Sequence, residues 1–248
     1  MGALGVLMTP TPYVLITGGA GHLGGAIAAR VAATHRRTIV LDRHLPSTPS
    51  LGPTLLVDLT DSEATRTLLR TLVSTEGPPA GLVICHGWSP KTDEGSRLDD
   101  AQVSADLFRL VLDVNLTSSF VICAELLPAM AKAGGGRVVV VCSAAAHTGR
   151  TNASTAYVAS KAGLRGMVHA LAVHWASSGI LMNDVSPGKI SHPAWDDSAG
   201  AITQYVAETP GGRLTDAQDV VGLIDFLISD SNTYITGQSI LVDGGRLA

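Results

Sequence analysis

Tyr157 and Lys161 stand four positions apart in the run Tyr157-Val158-Ala159-Ser160-Lys161. On a helix that spacing places a phenol and an ammonium on one face. A neighbouring cation favours the phenolate and brings the tyrosine toward the working pH range, as a proton donor and acceptor requires. Ser143 lies 14 residues earlier, at the end of a valine-rich run, and Asn115 sits on the preceding helical segment. They add a hydroxyl and a carboxamide to the same candidate catalytic set.

A second group of residues suits phosphate rather than protons. Thr17-Gly18-Gly19-Ala20-Gly21-His22-Leu23-Gly24 follows an apolar run and opens a helical pattern. Gly19, Gly21 and Gly24 satisfy G-x-G-x-x-G, the spacing that gives a tight turn, close backbone approach to a pyrophosphate and close packing of helix on strand. The phosphates then sit at the positive end of the helix dipole. Asp42, 18 residues after Gly24, is placed to accept hydrogen bonds from the hydroxyls of an adenosine ribose. Its charge opposes a 2′-phosphate, so NAD is favoured over NADP. Arg43 beside it offers a guanidinium to that phosphate, which leaves NADP open. Asp58 suits either the adenine edge or a turn and capping role.

The elements that must position these residues are legible as an alternation of short apolar runs and longer amphipathic stretches. Strands are expected at Tyr13–Thr17, Thr38–Asp42, Leu55–Val57, Leu82–Cys85, Arg137–Cys142, Ile180–Val185 and Ser239–Val242. Val138 to Val141 are β-branched without alternation, as in a central strand buried on both faces. Helices are expected at Leu23–His35, Asp61–Glu76, a long segment ending near Lys132, Thr155–Ser177 and Ala217–Ser229. Thr60 and Glu63 fit a capping box, and Gly134-Gly135-Gly136 closes the third helix. With right-handed crossovers these elements make an α/β fold: a Rossmann-type, doubly wound parallel sheet of seven strands with helices on both faces.

Composition narrows the function classes. The 248 residues are 46% hydrophobic and 15% charged, a balance that supports a packed core and argues against disorder. Seventeen Lys and Arg against 21 Asp and Glu give a net charge of −4, without the basic excess that nucleic-acid binding needs. Cys85, Cys123 and Cys142 have no metal-ligand spacing and read as free thiols of a reducing cytoplasm. The eight histidines show no paired ligand spacing, so no metal is expected. The opening MGALGVLMTPTP is a poor signal peptide. Asp113 and Glu125 interrupt the most apolar stretch, so no membrane span is expected. Residues 1–12 read as a flexible tail and 13–248 as one domain.

Taken in order, the glycine loop 17–24, Asp42, Asp58, Asn115, Ser143, Tyr157 with Lys161, Ser186-Pro187-Gly188 and the C-terminal run Ile235 to Gly245 resemble the short-chain dehydrogenase/reductase family, closest to its classical members. The resemblance covers nearly the whole chain. It implies an oxidoreductase interconverting a secondary alcohol and a ketone, with NAD or NADP as cofactor. Tyr157 would be the general acid in reduction and the base in oxidation. Lys161 would assist it and bind the nicotinamide ribose, Ser143 would bind the substrate oxygen, and Asn115 would hold a water linking Lys161 to solvent. The cofactor would lie against Thr17, Gly18, Gly19, Gly21, His22, Leu23, Gly24, Asp42, Arg43, Asp58, Leu59, Gly87, Tyr157, Lys161, Pro187, Gly188 and Ile190. The family also implies a homo-tetramer or homo-dimer built through the two long helices and the C-terminal segment.

Departures from the family pattern bear on the same site. His22 occupies a position that is usually glycine. Ile84-Cys85-His86-Gly87 stands where the family has Asn-Asn-Ala-Gly, so the hydrogen bonds of those asparagines must be replaced or lost. His192 stands where a threonine usually meets the nicotinamide carboxamide. Trp88, His147, Asn152, His192 and Trp195 suggest a small, polar, hydrogen-bonding substrate with a flat or ring-like face. Gly200, Pro210, Gly211 and Gly212 mark a substrate lid over about 189–213. Two other readings keep the fold: an epimerase or dehydratase using internal hydride transfer, and a catalytically idle dinucleotide sensor.

Overall fold

The computed structural model describes residues 11–34, 36–46, 52–92, 97–149, 153–192 and 199–248. Asn152, Trp195 and all but the last two positions of the expected tail lie outside the described residues.

Seven strands form one sheet: β1 Tyr13–Thr17, β2 Arg37–Asp42, β3 Thr54–Leu56, β4 Gly81–Ile84, β5 Gly136–Val141, β6 Ile180–Pro187 and β7 Ser239–Val242. All pairings are parallel, in the order β3-β2-β1-β4-β5-β6-β7. The central strands are apolar on both faces because both faces are covered. Leu15, Leu82, Val138 and Val140 pack on Leu69 and Leu72 of α2 (Ser62–Glu76), Ile122 and Leu126 of α4 (Ser118–Lys132) and Leu164 and Val168 of α5 (Thr155–Trp175). Val14, Ile16, Val83 and Val139 pack on Ile27 and Val31 of α1 (His22–Ala33) and Val220 and Ile224 of α7 (Ala217–Leu227). The strand order reverses between β1 and β4, the kind of switch point at whose carboxyl end open parallel sheets bind ligands.

Three expectations require correction. Asp61, not Thr60, caps α2 by accepting from the Ala64 amide at 2.9 Å; the Thr60 hydroxyl is already spent on Asp58, 2.7 Å away. The long third helix is two helices, α3 (Ala105–Leu112) and α4, joined by a π-turn over Asp113–Thr117. The helix from Thr155 ends at Trp175 and continues as a short 3-10 turn. Beyond β6 the chain also forms α6 (Ala199–Ala207). By length and composition, Ala105–Lys132 is apolar enough to cross a membrane, yet half of its most apolar window is buried inside the fold, as in a core helix.

Candidate active site

The glycine loop is wound against its own backbone. Gly18 has φ +70°, and a Cβ there would lie 2.7 Å from the His86 backbone. A Cβ on Gly24 would come within 2.1 Å of the Gly18 carbonyl oxygen, and one on Gly19 within 2.6 Å of Val40 Cγ1. The Gly18 amide donates to Leu41 O at 2.8 Å, and the Gly21 amide to Gly18 O at 3.2 Å. Helix α1 therefore starts directly over the end of β1, with first-turn amides that lack intrahelical acceptors. Asp42 closes β2 beside the loop, where Oδ2 accepts from the Ala20 amide at 2.9 Å and Oδ1 from the His44 amide at 3.1 Å. Each oxygen retains a further lone pair. A glycine-lined backbone cradle one strand from a carboxylate fits a dinucleotide.

Other members of the cofactor set are less uniform. Arg43 is exposed. Asp58 accepts from the Thr60 amide and hydroxyl, and these bonds hold its carboxyl below the usual range; the turn role is thus filled. The Leu59 side chain belongs to the core, so only its backbone is left to meet a ligand. Pro187 ends β6, and the Gly188 amide donates to Val242 O at 2.9 Å. Ile190 pairs with Thr215. His22 and His192 touch edge to face, with ring centroids 4.6 Å apart, and so join the glycine loop to the segment beyond β6. Burial lowers the His192 pKa.

The catalytic candidates converge at the same end of the sheet. Ser154 caps α5 by accepting from the Tyr157 amide at 3.3 Å. One turn on, the Lys161 Nζ lies 5.8 Å from the centroid of the Tyr157 ring and donates to Val141 O at 3.1 Å. Lys161 is buried and Tyr157 partly so. A Cβ on Gly87 would sit 3.2 Å from that Nζ and 3.3 Å from Asn115 Oδ1, so any side chain at 87 would crowd both groups. Ser143 follows β5 and opens a 3-10 turn, its Oγ accepting from the Ala145 amide at 3.2 Å.

Asn115 sits in the π-turn, where helices commonly place functional residues. Its Oδ1 accepts from the Trp88 amide at 2.7 Å, while Nδ2 donates to Trp88 O at 2.9 Å and Ser160 Oγ at 2.8 Å. The side chain thus ties the loop after β4 to α5, between Tyr157 and Lys161.

The altered stretch at 84–87 has its replacement bonds. His86 Nδ1 lies 2.7 Å from Thr17 Oγ1 and Nε2 2.7 Å from Ser118 Oγ. Ser118 donates its own proton to Val114 O at 2.7 Å, so it accepts from Nε2–H, and Thr17 donates to Nδ1. Burial and the nearby Lys161 ammonium push His86 down to about 3, so the ring is neutral. These two bonds turn His86 inward as a brace beneath the glycine loop. His147 is also engaged: its Nε2 is 3.0 Å from Ser186 Oγ and 3.1 Å from Ser239 Oγ. Trp88 is 37% exposed and available to a ligand.

Sequence reasoning missed Asp184, which is buried on β6 and accepts from the Ser186 and Ser239 hydroxyls at 3.0 and 2.6 Å; burial raises its carboxyl pKa. A carboxylate inside a strand expected to be covered on both faces was the available signal. It also missed Tyr205, whose hydroxyl accepts from the Lys189 amide at 2.8 Å, and nothing in the spacing announced that residue.

The likeness to known proteins agrees with this geometry. A family model described as enoyl-(acyl carrier protein) reductase matches residues 25–246. The 3-oxoacyl-(acyl-carrier-protein) reductase FabG of Rickettsia felis is 30% identical over 244 residues, 94% of this chain and 95% of its own. The NAD(+) 2-dehydro-3-deoxy-L-rhamnonate dehydrogenase of a Sphingomonas strain is 28% identical over 239 residues, 94% of each chain. A short-chain dehydrogenase of Leptospira borgpetersenii, solved with bound NAD+, superposes with TM-score 0.88 at 28% identity, over 96% of this chain and 94% of that one. With the parallel sheet, the glycine cradle and the matched family model in agreement, the chain belongs to the short-chain dehydrogenase/reductase family, as an oxidoreductase acting on alcohol carbons of small molecules with a nicotinamide dinucleotide.

Proposed function

We propose that this protein interconverts a secondary alcohol and a ketone on a small polar or ring-containing substrate, with NAD as cofactor and Tyr157 as general acid and base. The observation that carries the reading is the seating of the Lys161 ammonium one turn from Tyr157, 5.8 Å from its ring, at the carboxyl edge of the sheet. In oxidation the Tyr157 phenolate takes the hydroxyl proton; in reduction its phenol returns a proton to the carbonyl oxygen. Lys161, whose Nζ donates to Val141 O beside the Tyr157 ring, would bind the nicotinamide ribose. Ser143 donates to the substrate oxygen as charge develops there. A bound nicotinamide supplies or accepts the hydride. Asn115 fixes the loop carrying Trp88 against α5 and so positions the pocket wall.

Asp42 supports NAD over NADP, because its carboxylate is already oriented by two backbone amides and opposes a 2′-phosphate. Gly18 to Gly24 would carry the diphosphate, and Pro187, Gly188 and Ile190 would line the nicotinamide. Trp88, exposed beside Asn115, and His192, against His22, would meet a polar substrate; Asn152 and Trp195 remain candidates on sequence grounds. Leu110, Phe120, Val173 and Phe226 expose apolar surface on the long helices and α7, which supports association into a homo-dimer or homo-tetramer. The three cysteines are free, as in a reducing cytoplasm.

The test is absorbance at the reduced-nicotinamide band, with NAD and a panel of polyols, hydroxylated rings and aliphatic alcohols. Net reduction of NAD by polyols or ring alcohols is the expected result. Product without net redox would replace the reading with an epimerase or dehydratase. Dinucleotide binding without turnover of any substrate would replace it with a sensor.

A further inference from the structure

We infer that Tyr205 and Arg246 form a clamp that positions the Gly188–Ile190 backbone from behind, making the last residues of the chain part of the cofactor site; the inference rests on the cofactor reading above. The Lys189 amide donates to the Tyr205 hydroxyl at 2.8 Å. A Cβ on Gly188 would lie 3.0 Å from that same oxygen and 2.8 Å from Thr215 Oγ1, so the loop is pressed between two side chains. Its other edge is fastened to Thr215, whose amide donates to Lys189 O at 3.0 Å and whose carbonyl accepts from the Ser191 amide at 2.8 Å. Thr215 Oγ1 donates in turn to Val242 O at 3.2 Å, which ties this edge to β7.

Tyr205 is itself held from the C-terminus. The Arg246 guanidinium lies 4.0 Å from the centroid of the Tyr205 ring, and its Nη1 donates to Tyr205 O at 2.9 Å. Its Nη2 reaches Glu208, a further turn along. Arg246 is presented by a fixed turn: the buried Asp243 carboxylate accepts from the Gly245 and Leu247 amides, both at 3.0 Å, and the Gly211 amide donates to Gly244 O at 2.9 Å. A planar guanidinium stacks flat on the ring while its Nη1 bonds the carbonyl; a lysine ammonium has no plane to stack. The chain of contacts runs from Arg246 through Tyr205 to the backbone of Lys189, beside the residue that faces the nicotinamide.

The experiment uses the full-length apoprotein and its NADH complex. Tyr205→Phe keeps the ring stack and removes only the hydroxyl, while Arg246→Ala removes the stack. Amide hydrogen exchange over residues 188–192 of the apoprotein should speed up by about fivefold or more in each variant, as for loss of one anchoring bond. The dissociation constant for NADH, read from nicotinamide fluorescence, should rise about three- to tenfold in each, with the melting temperature within a few degrees of wild type. The double variant should be no worse than Arg246→Ala alone, because the two residues act as one unit. Arg246→Lys should resemble Arg246→Ala. Unchanged exchange and NADH affinity in a wild type that binds NADH would overturn the clamp and leave the oxidoreductase reading standing. Additive effects of the two substitutions would also overturn it. A wild type without NADH affinity would overturn both.

Discussion

His86 should make the stability of this protein fall on mild acidification, and the size of the effect follows from its two bonds. With Nδ1 accepting from Thr17 and Nε2 donating to Ser118, a proton can add only by breaking the Thr17 bond inside the fold. The folded value is pushed down to about 3 by burial and then by Lys161, against about 6.5 in an unfolded chain. Between those values the unfolded chain binds the extra proton, so stability is full above about pH 6.5 and is lost progressively as the pH falls toward 3. Integrated from about pH 7 to about pH 5, the loss is at most about 2 kcal/mol, since the ring is only partly buried. Urea unfolding followed by tryptophan fluorescence at the two pH values, for wild type and His86→Gln, isolates this contribution. His147 and His192 titrate in both proteins and cancel in the difference. The variant should lose less stability than wild type by up to that amount. Equal losses in the two proteins would refute a neutral, doubly bonded His86.

Two further outcomes follow from the cofactor cradle. Asp42→Ala should reduce the preference for NAD over NADP at least about tenfold in kcat/KM, by removing the charge that faces a 2′-phosphate; the measurement is the ratio of the two values before and after. Gly24→Ala would drive a methyl into the Gly18 carbonyl, so it should destabilise the fold by about 1–3 kcal/mol and weaken NADH binding by at least about tenfold, both readable in one thermal-shift titration.

The sheet was legible because covered strands have few ways to be written. Val138 to Val141 admit no exposed face, and both flanking layers are where that demands. The tight turn of the glycine loop was legible for a similar reason: close backbone approach excludes side chains. Helix–helix detail was not. A π-turn inserts one residue into an otherwise regular run, and the apolar pattern from Ala105 to Lys132 does not register it, although it determines where Asn115 points. The brace that His86 makes was not legible because a histidine in a loop is usually solvated, and only the positions of Thr17 and Ser118 reveal its partners. Helix α6 was not read from the sequence, and one bond that fastens it joins Tyr205 to Arg246, 41 residues apart. Long-range anchors of that kind leave no local signature.

The central claim is that one phenol moves the proton while a separate cradle holds the dinucleotide. Tyr157→Phe separates the two, because it removes the hydroxyl and leaves the helix, Lys161 and the glycine loop in place. With the best substrate of the panel, kcat should fall by about 10²- to 10⁴-fold, the range for loss of a general acid–base group, while the NADH dissociation constant stays within about threefold of wild type. Near-wild-type turnover by the variant would contradict the account.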